Sequence, residues 1–355
     1  EEYAVKLAEL KLGTYTGLQA VGVKAAALSL TIPQKFAILK NAENSTGDDL
    51  ENVTNCYGVF NAGQVENCRY SFFLLENSHD LYDGDHIGYS SELVCEMMSG
   101  FENNRVAFGN RIYNSHDVFY SDDCHGCSDL FGCIGLRKKS FCIFNKQYAP
   151  EEYKVLVAKI IDQMNALPFA GANGRVYKFG EFFPIEISAF AYNETVAHDY
   201  FPLTREEALG RGYRWHEPTK RDVHPTLKAS DLPDSFSDTP DTITGEIIAC
   251  DHAGEVTEGG KCNHQCTGGF KIIAQELKFY RATGIPLPRL CPNCRHYERL
   301  ATKNPLRLWK QQCLCTVAGH DWHEDVKCSI MFDTSYPPET SALVFCQRCY
   351  QQEVG

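Results

Sequence analysis

The sequence lacks the segments and signatures that define several large classes of protein. No apolar run approaches the roughly 20 residues that a membrane-spanning helix needs. There is no glycine-rich phosphate loop, no G-x-S-x-G motif, no H-E-x-x-H motif and no paired-carboxylate motif. We therefore expect no membrane partner, and no catalytic residue is predicted.

Composition sets only broad limits on the fold. The 355 residues allow two or three domains, and 43% hydrophobic with 23% charged residues is ordinary for a soluble chain. The net charge of −12 argues against a protein that coats nucleic acid along its whole surface. The first residue is Glu1 and not Met, so we expect a trimmed, processed or partial chain, and a missing signal peptide carries little weight.

Cysteine is the residue that this chain has in excess. There are 17 cysteines, and ten of them lie between Cys250 and Cys349. An odd number of cysteines grouped at short spacing favours metal binding in a reducing compartment over a disulfide framework, so we expect a cytoplasmic protein. The alternative is that these cysteines are reduced and pack as small apolar side chains, but their clustering argues against it.

Closely spaced cysteine pairs predict two structural zinc ions. A pair with two or three intervening residues places two thiolates on one ion, and two pairs complete a tetrahedral site. The motifs are CNHQC, CPNC, CLC and CQRC, with a lone cysteine between the last two. The predicted ligand sets are Cys262, Cys266, Cys291, Cys294 and Cys313, Cys328, Cys346, Cys349, with Cys250 and Cys315 as substitutes.

The residues around CPNC resemble a known family. The run FKIIAQELKFYRATGIPLPRLCPNCRHYER places residues 262–299 beside the "probable zinc-binding domain" of bacteria, a treble-clef or zinc-ribbon-like module. The matching positions are Phe270, Glu276, Leu277, Phe279, Tyr280, Gly284, Pro288, Cys291, Cys294 and Arg295. The first cysteine pair departs from the family by one extra intervening residue, so Cys250 could replace Cys262 or Cys266. The resemblance implies a zinc fold and no activity.

Residues 50–355 also resemble, more broadly, a group of uncharacterised bacterial proteins. That group joins a cysteine-rich repeat, which in this chain ends LFGCIGLRKKSFCIFNKQYAPEEY, to the zinc module and a final ribbon, which in this chain reads VFCQRCY. The group's ribbon often has two successive CxxC pairs. The resemblance therefore implies that Cys313 and Cys328 are halves of a pair separated by an insertion, in which Cys315, His320 and His323 are extra residues.

A repeat of about 12 residues fills residues 52–149. NSHDL at Asn77–Leu81 recurs as NSHDV at Asn114–Val118, and short apolar triplets alternate with turn residues. This pattern predicts a β-solenoid, whose coils bury their inner faces by stacking, and stacked Asn side chains can satisfy its turn amides. Inward positions must be small, so the predicted internal ladder is Cys56, Cys68, Cys95, Cys133 and Cys142. A zinc knuckle at Cys124–Cys127 is the weaker alternative there.

The predicted fold class is mainly β: an N-terminal β-solenoid, a capping helix and small C-terminal α+β zinc modules. The helix starting at Pro150 is amphipathic and should cover the last coil. Residues 231–258 contain eight acidic and no basic residues, which is typical of a linker. The predicted segments are an N-terminal cap (1–51), the solenoid (52–149), the capping helix with an aromatic-rich layer (150–230), the acidic linker (231–258), a first zinc module (259–312) and a second zinc ribbon (313–355).

The sequence leaves three functions in competition. The favoured one is a non-enzymatic platform that binds an unknown protein partner. A nucleic-acid accessory role is suggested by residues 281–312, whose seven basic and one acidic residues give +6 while the rest of the chain carries −18. Its candidate contacts are Arg295, Arg299, Lys303 and Arg307, although these cations could instead offset the acidic linker. A carbohydrate-active enzyme would need a deep acidic groove along the coils; the polar run AYNETVAHDY is more simply a hydrogen-bonded turn.

Overall fold

The computed structural model describes residues 5, 8–217, 223–252, 266–320, 322–323 and 327–355. They form two compact units. The first comprises Glu1–Pro33, Glu217–Asn304 and Ser341–Leu343, and the second comprises Gln34–His216, Pro305–Thr340 and Val344–Gly355. Within the described residues, no helix combines the length and the apolar content needed to cross a membrane.

Both units contain α-helices, short 3₁₀ helices and β-strands. The α-helices are α1 (Tyr15–Ser29), α2 (Pro150–Ala166), α3 (Val196–Tyr200), α4 (Arg205–Gly210), α5 (Ala274–Thr283), α6 (Pro292–Leu300) and α7 (Gln347–Val354). Short 3₁₀ helices span Ile185–Ile187, Tyr192–Glu194, Ala229–Asp231, Phe236–Asp238 and Asp241–Gly245. The strands are β1 (Pro33–Lys35), β2 (Leu39–Glu43), β3 (Thr46–Thr54), β4 (Tyr57–Glu66), β5 (Phe72–Leu74), β6 (Ser78–Gly88), β7 (Glu92–Phe101), β8 (Asn104–Tyr113), β9 (His116–Phe119), β10 (Ser128–Phe131), β11 (Ser140–Ile143), β12 (Lys146–Gln147), β13 (Phe169–Ala170), β14 (Val176–Tyr177), β15 (Ile248–Ala249), β16 (Gly269–Phe270), β17 (Trp309–Gln312), β18 (Met331–Thr334) and β19 (Leu343–Phe345).

The predicted β-solenoid is confirmed. Strands β2 to β11 pair in parallel in sequence order. Equivalent residues pair from coil to coil along Glu92, Asn104, His116, Ser128 and Ser140, which sets a coil length of 12 residues. The first of these strands starts at Leu39, so the solenoid extends upstream of the predicted boundary at residue 52.

Every third residue of the solenoid points inward. One coil buries Val94, Met97, Gly100 and Asn103, which gives each coil four inward positions. The residue before an inward position has a positive φ, as the run Arg105, Phe108, Arg111 and Asn114 shows with φ of 55°, 56°, 52° and 49°. Left-handed residues turn the chain at each corner, and Asn and Asp tolerate this conformation better than other residues that carry a Cβ.

One inward column is polar and links the coils through hydrogen bonds. The backbone amides of Ser91, Asn103, Ser115 and Cys127 each donate to the side-chain oxygen of the residue one coil earlier, at 3.0 to 3.3 Å. A buried amide without a partner destabilises a fold, so these small polar side chains stabilise the corners. On the outer surface, Asn side chains likewise bond to one another between coils.

Most solenoid cysteines occupy the interior, with one exception. The cysteines buried there are Cys56, Cys68, Cys124, Cys127, Cys133 and Cys142. Cys133 and Cys127 take the place of serine as hydrogen-bond acceptors. Their sulfur atoms accept hydrogen bonds from the backbone amides of Asn145 and Lys139, with N–S distances of 3.5 Å. Cys95, which was predicted to point inward, is partly exposed because the neighbouring Val94 holds the inward position. The prediction for Cys95 is therefore wrong by one residue of register.

Both ends of the solenoid are covered within the second unit. At the C-terminal end, β12 pairs antiparallel with β11, and the buried Tyr153 of α2 packs edge-on against Phe141. At the N-terminal end, the ring of Phe332 in β18 lies 5.1 Å from that of Phe36, and the Thr334 hydroxyl donates to the Phe36 carbonyl at 2.6 Å. Exposed strand edges are thereby avoided.

The first unit contains segments that were expected elsewhere. Residues 231–252, predicted as part of a linker, contribute Leu232, Ile243 and Ile248 to a hydrophobic core. Helix α1, predicted to cap the solenoid, belongs to this unit, where Asp234 accepts hydrogen bonds from the Thr16 amide and hydroxyl. The segment 231–252 therefore belongs to a packed core and is not a linker, because its apolar residues are buried although its composition is acidic.

Candidate metal centres

The first cysteine cluster lies between a short hairpin and a helix. Cys250 directly follows β15, and Cys266 shortly precedes β16, which pairs antiparallel with β15. Cys291 is the N-cap of α6, and Cys294 lies in its first turn. The sulfur atoms of Cys250, Cys266, Cys291 and Cys294 all lie within 4.8 Å of one another. Segments that are distant in sequence therefore direct their thiols to one point.

The sulfur separations exclude disulfides in this cluster. Cys250 and Cys294 are 3.7 Å apart at sulfur, and Cys266 and Cys291 are 3.9 Å apart. A disulfide requires about 2.05 Å. The Cys291 amide donates to the Cys250 sulfur at 3.2 Å, and the Gly268 amide donates to the Cys266 sulfur at 3.4 Å. Amide donors of this kind stabilise thiolates, which are the metal-binding form of cysteine.

Helix α6 adds its own electrostatic effect. Pro292 occupies the first helical position, which needs no amide donor, and Cys291 sits at the N-terminus, where a negative charge is favoured. Burial opposes ionisation of Cys291, but hydrogen bonds from the Cys294 amide and from Thr267 outweigh it and lower its pKa to about 6. Burial also raises the pKa of Cys250 to about 11. The N-terminal position of Cys291 and its hydrogen bonds therefore favour its thiolate form.

The ligand set of the first cluster differs from the leading prediction at one position. Cys250, named as a substitute ligand, stands with Cys266, Cys291 and Cys294. Cys262 lies outside the described residues, so its role as a ligand stays a prediction. Hairpin pairing explains the role of Cys250, because the end of β15 and the start of β16 are adjacent in space.

The second cluster repeats this architecture in the other unit. Cys313 directly follows β17, Cys328 precedes β18, and Cys346 is the N-cap of α7 with Cys349 in the first turn. These four cysteines, the set predicted for the second zinc ion, have sulfurs within 4.8 Å of one another. The Cys346 amide donates to Cys313 at 3.2 Å, as Cys291 does to Cys250. The two clusters are therefore variants of one hairpin-and-helix module.

A third group lies beside the second cluster and shares one residue with it. Cys315, His320, His323 and Cys349 are buried, and one ligand atom from each lies within 4.8 Å of the others. The sequence predicted Cys315 as a substitute ligand and the histidines as extra residues of the insertion, so the convergence of all three on Cys349 was missed. The spacing Cys-x₄-His-x₂-His within the insertion is the signal that could have revealed it.

Of the basic residues expected to contact nucleic acid, Arg295 and Arg299 lie on helix α6. Arg295 is partly buried and donates to Glu276 at 3.5 Å and to the Tyr280 hydroxyl at 3.2 Å. Helix α6 ends at Leu300, so Lys303 lies beyond the helical face assumed for it. Arg299 and Lys303 are exposed, and Arg307, in the second unit, stacks on Trp309.

Two further basic residues of this segment have internal roles. Arg281 pairs with Asp241, and the buried Arg289 donates to the carbonyls of Leu232 and Pro233 at 2.9 Å. All three partners lie in the acidic segment 231–252. Arg281 therefore forms an ion pair with the acidic segment, and Arg289 binds its backbone.

The polar run AYNETVAHDY has structural contacts in the second unit. Glu194 accepts the Ala191 amide at 2.9 Å and so caps its own turn. Asn193 forms hydrogen bonds with both the amide and the carbonyl of His216. His198 is buried against Trp215, and burial lowers its pKa. These contacts match the hydrogen-bonded turn favoured from the sequence.

The outer face of the solenoid carries an open cavity of about 580 Å³. It is lined mainly by aromatic and small residues, including Phe73, Tyr89 and Phe101, with Asp49 and Glu51 at one side. Glu51 pairs with Lys40. This cavity is open and mainly aromatic, and one of its two carboxylates is paired with a lysine, which differs from the deep acidic groove expected of a carbohydrate-active enzyme.

No protein-family model matches the sequence, and no curated protein matches it. The geometry of the clusters and the solenoid therefore carries the functional argument.

Proposed function

We propose that this chain is a non-enzymatic zinc-binding protein, in which zinc stabilises two small modules and the remaining surfaces engage a protein partner. The observation that carries the proposal is the sulfur spacing in the first cluster. A tetrahedral zinc ion with Zn–S distances of about 2.3 Å separates its sulfurs by about 3.8 Å. The separations of 3.7 and 3.9 Å agree with that value.

The chemistry of the donors also favours zinc. Four thiolates in a closed, buried set are typical of a structural zinc site, because soft sulfur donors bind this ion well and no position remains for water or substrate. Calcium and magnesium prefer oxygen ligands, whereas the described residues that form these two clusters are all cysteines. Cys291 and Cys346 are the N-caps of α6 and α7, and despite their burial, backbone hydrogen bonds from Cys294 and Cys349 lower their pKa values.

The exposed surface of helix α1 favours the proposal of a protein partner. Its sequence is YTGLQAVGVKAAALS, and none of its residues is buried. Val23 and Leu28 are 70% and 60% exposed. An apolar helix that leaves its side chains in water is typical of a surface that another protein covers. The resemblance to bacterial zinc-module proteins, which implies no activity, is consistent with a binding role.

Metal analysis of the purified protein tests the zinc proposal. We expect zinc in the parent, and less zinc in Cys291→Ser and in Cys346→Ser, since each variant removes a ligand from one cluster. Cys95→Ser is the matched control, because Cys95 lies on the solenoid outside both clusters and should not change the zinc content. A parent protein without zinc would overturn the proposal.

The partner proposal needs a separate comparison. The parent and the double variant Val23→Glu, Leu28→Glu are cross-linked in cells of the source organism, and the attached proteins are identified by mass spectrometry. We expect one partner to be lost in the variant while the zinc content stays the same. An unchanged set of partners would show that α1 is not the docking surface.

A further inference from the structure

We propose that the C-terminal ribbon holds two zinc ions bridged by the thiolate of Cys349. This inference rests on the proposed zinc-binding function and extends it to a dinuclear site. The two four-residue groups, Cys313, Cys328, Cys346, Cys349 and Cys315, His320, His323, Cys349, have Cys349 Sγ as their common atom.

Counting ligands supports a bridge. The two groups contain seven donor atoms because Cys349 Sγ belongs to both. Two tetrahedral zinc ions need eight ligand positions. A thiolate sulfur has lone pairs for two ions, so one bridging cysteine supplies the eighth position. Each ion is then four-coordinate without water, one with four sulfurs and the other with two sulfurs and two nitrogens.

The distances around the second ion fit such coordination. Cys349 Sγ lies 3.6 Å from His323 Nε2, and Cys315 Sγ lies 3.9 Å from His320 Nδ1. With Zn–S of about 2.3 Å and Zn–N of about 2.05 Å, a tetrahedral sulfur–nitrogen edge is about 3.6 Å. The two histidine nitrogens lie 2.9 Å apart, slightly closer than the ~3.3 Å edge of the same tetrahedron, so the rings separate by a few tenths of an ångström on binding.

Glu353 orients the first of these histidines. Its Oε1 lies 2.9 Å from His320 Nε2, and the His320 side chain is only 2% exposed. A carboxylate at this distance accepts the Nε2 proton, which leaves the Nδ1 lone pair directed toward Cys315 and His323. Metal-bound histidines commonly donate their other ring nitrogen to a carboxylate in this way. Glu353 belongs to α7, the helix that also carries Cys349.

The number of zinc ions per chain tests whether the ribbon holds a second ion. We compare the parent with the double variant His320→Ala, His323→Ala after purification in zinc and removal of loosely bound metal. The expected result is the loss of one zinc ion per chain, because the Cys313, Cys328, Cys346, Cys349 set is intact. His116→Ala, a change of an exposed solenoid histidine, is the control and should lose none. Equal zinc content in the parent and the double variant would overturn the dinuclear site.

Cadmium NMR of the metal-exchanged parent tests the bridge without any mutation. We expect two resonances with mutual scalar coupling through the Cys349 sulfur, and an uncoupled resonance from the Cys250 cluster as an internal reference. If no resonance showed coupling, the bridge would be contradicted. This result would decide the question even if the histidine variant unfolded and lost both ribbon ions. A parent that binds no metal at all would instead overturn the proposed function.

Glu353→Gln provides a milder change in the same region. Loss of a carboxylate that orients a ligand typically lowers metal affinity 10- to 100-fold. We expect one zinc ion to be removed by chelator at correspondingly lower concentration while the others keep their parent behaviour. Identical chelator titrations of the parent and the variant would show that Glu353 has no positioning role.

Discussion

Cysteine side chains meet two different chemical needs in this chain. In the solenoid they are small inward residues whose sulfurs accept amides from the next coil, as Cys133 does from Asn145. In the C-terminal modules they converge in fours at sulfur distances that suit a metal ion. Their positions differ accordingly: the buried solenoid cysteines follow the inward three-residue period, which Cys95 does not, whereas the module cysteines lie at hairpin ends and helix N-termini.

The solenoid role leads to a prediction for two cysteines. Cys133→Lys should prevent the solenoid from folding, because the interior offers no partner for a buried charge. Cys95→Lys should fold, since Cys95 is partly exposed and the nearby Glu96 and Asp83 can compensate the charge. Circular dichroism and thermal unfolding of both variants provide the measurement. Failure of Cys95→Lys to fold would mean that its side chain points inward after all.

At the scale of elements, the solenoid departs from ordinary strand behaviour. Its burial has a period of three, with a left-handed residue before each inward one, whereas a typical strand alternates with a period of two. The 12-residue repeat could be predicted from the sequence because Asn, Asp and Gly favour the corners. The inward or outward position of Cys95 could not be predicted, because Arg, Phe and Tyr also occupy left-handed corners and obscure the three-residue period.

Helix α2 should be necessary for a monomeric solenoid. Tyr153→Ala removes the aromatic ring that α2 buries against the last coil, which should cost roughly 3 kcal/mol of unfolding free energy. Release of the helix would expose a strand edge and promote association. Denaturant unfolding and analytical ultracentrifugation measure both effects, and Val155→Ala, an exposed position on the same helix, is the control. Equal stability of the two variants would contradict this capping role.

Helix α6 should not retain nucleic acid. Of the basic residues around it, Arg281, Arg289 and Arg295 already contact carboxylates or carbonyls within the module. We therefore expect no salt-dependent retention of the parent on RNA or DNA columns. Retention that disappears in Arg299→Glu, Lys303→Glu, with zinc content unchanged, would instead establish a nucleic-acid surface on this helix.

At the scale of the whole molecule, metal removal should unfold the modules and leave the solenoid folded. The solenoid has a continuous apolar interior, whereas each module gathers its cysteines from short hairpins and single helices. A strong chelator should therefore expose residues 223–304 and 305–355 to hydrogen exchange while residues 39–143 stay protected, because metal binding supplies the folding energy of such modules. Uniform exchange across the chain would indicate one cooperative fold, and unchanged exchange would show that the modules fold without metal.

The sequence by itself determined the repeating fold and the type of donor in the clusters. Corner residues at a 12-residue interval specify stacked coils, and CxxC at a helix start specifies paired thiols, because both depend on local conformation. Tertiary structure decided which distant residues complete each cluster. Cys250 reaches Cys266 because β15 pairs with β16, and the ligand atoms of His320 and His323 lie within 4.8 Å of Cys349 in the first turn of α7. Contacts between separate elements depend on packing, which spacing along the chain does not encode.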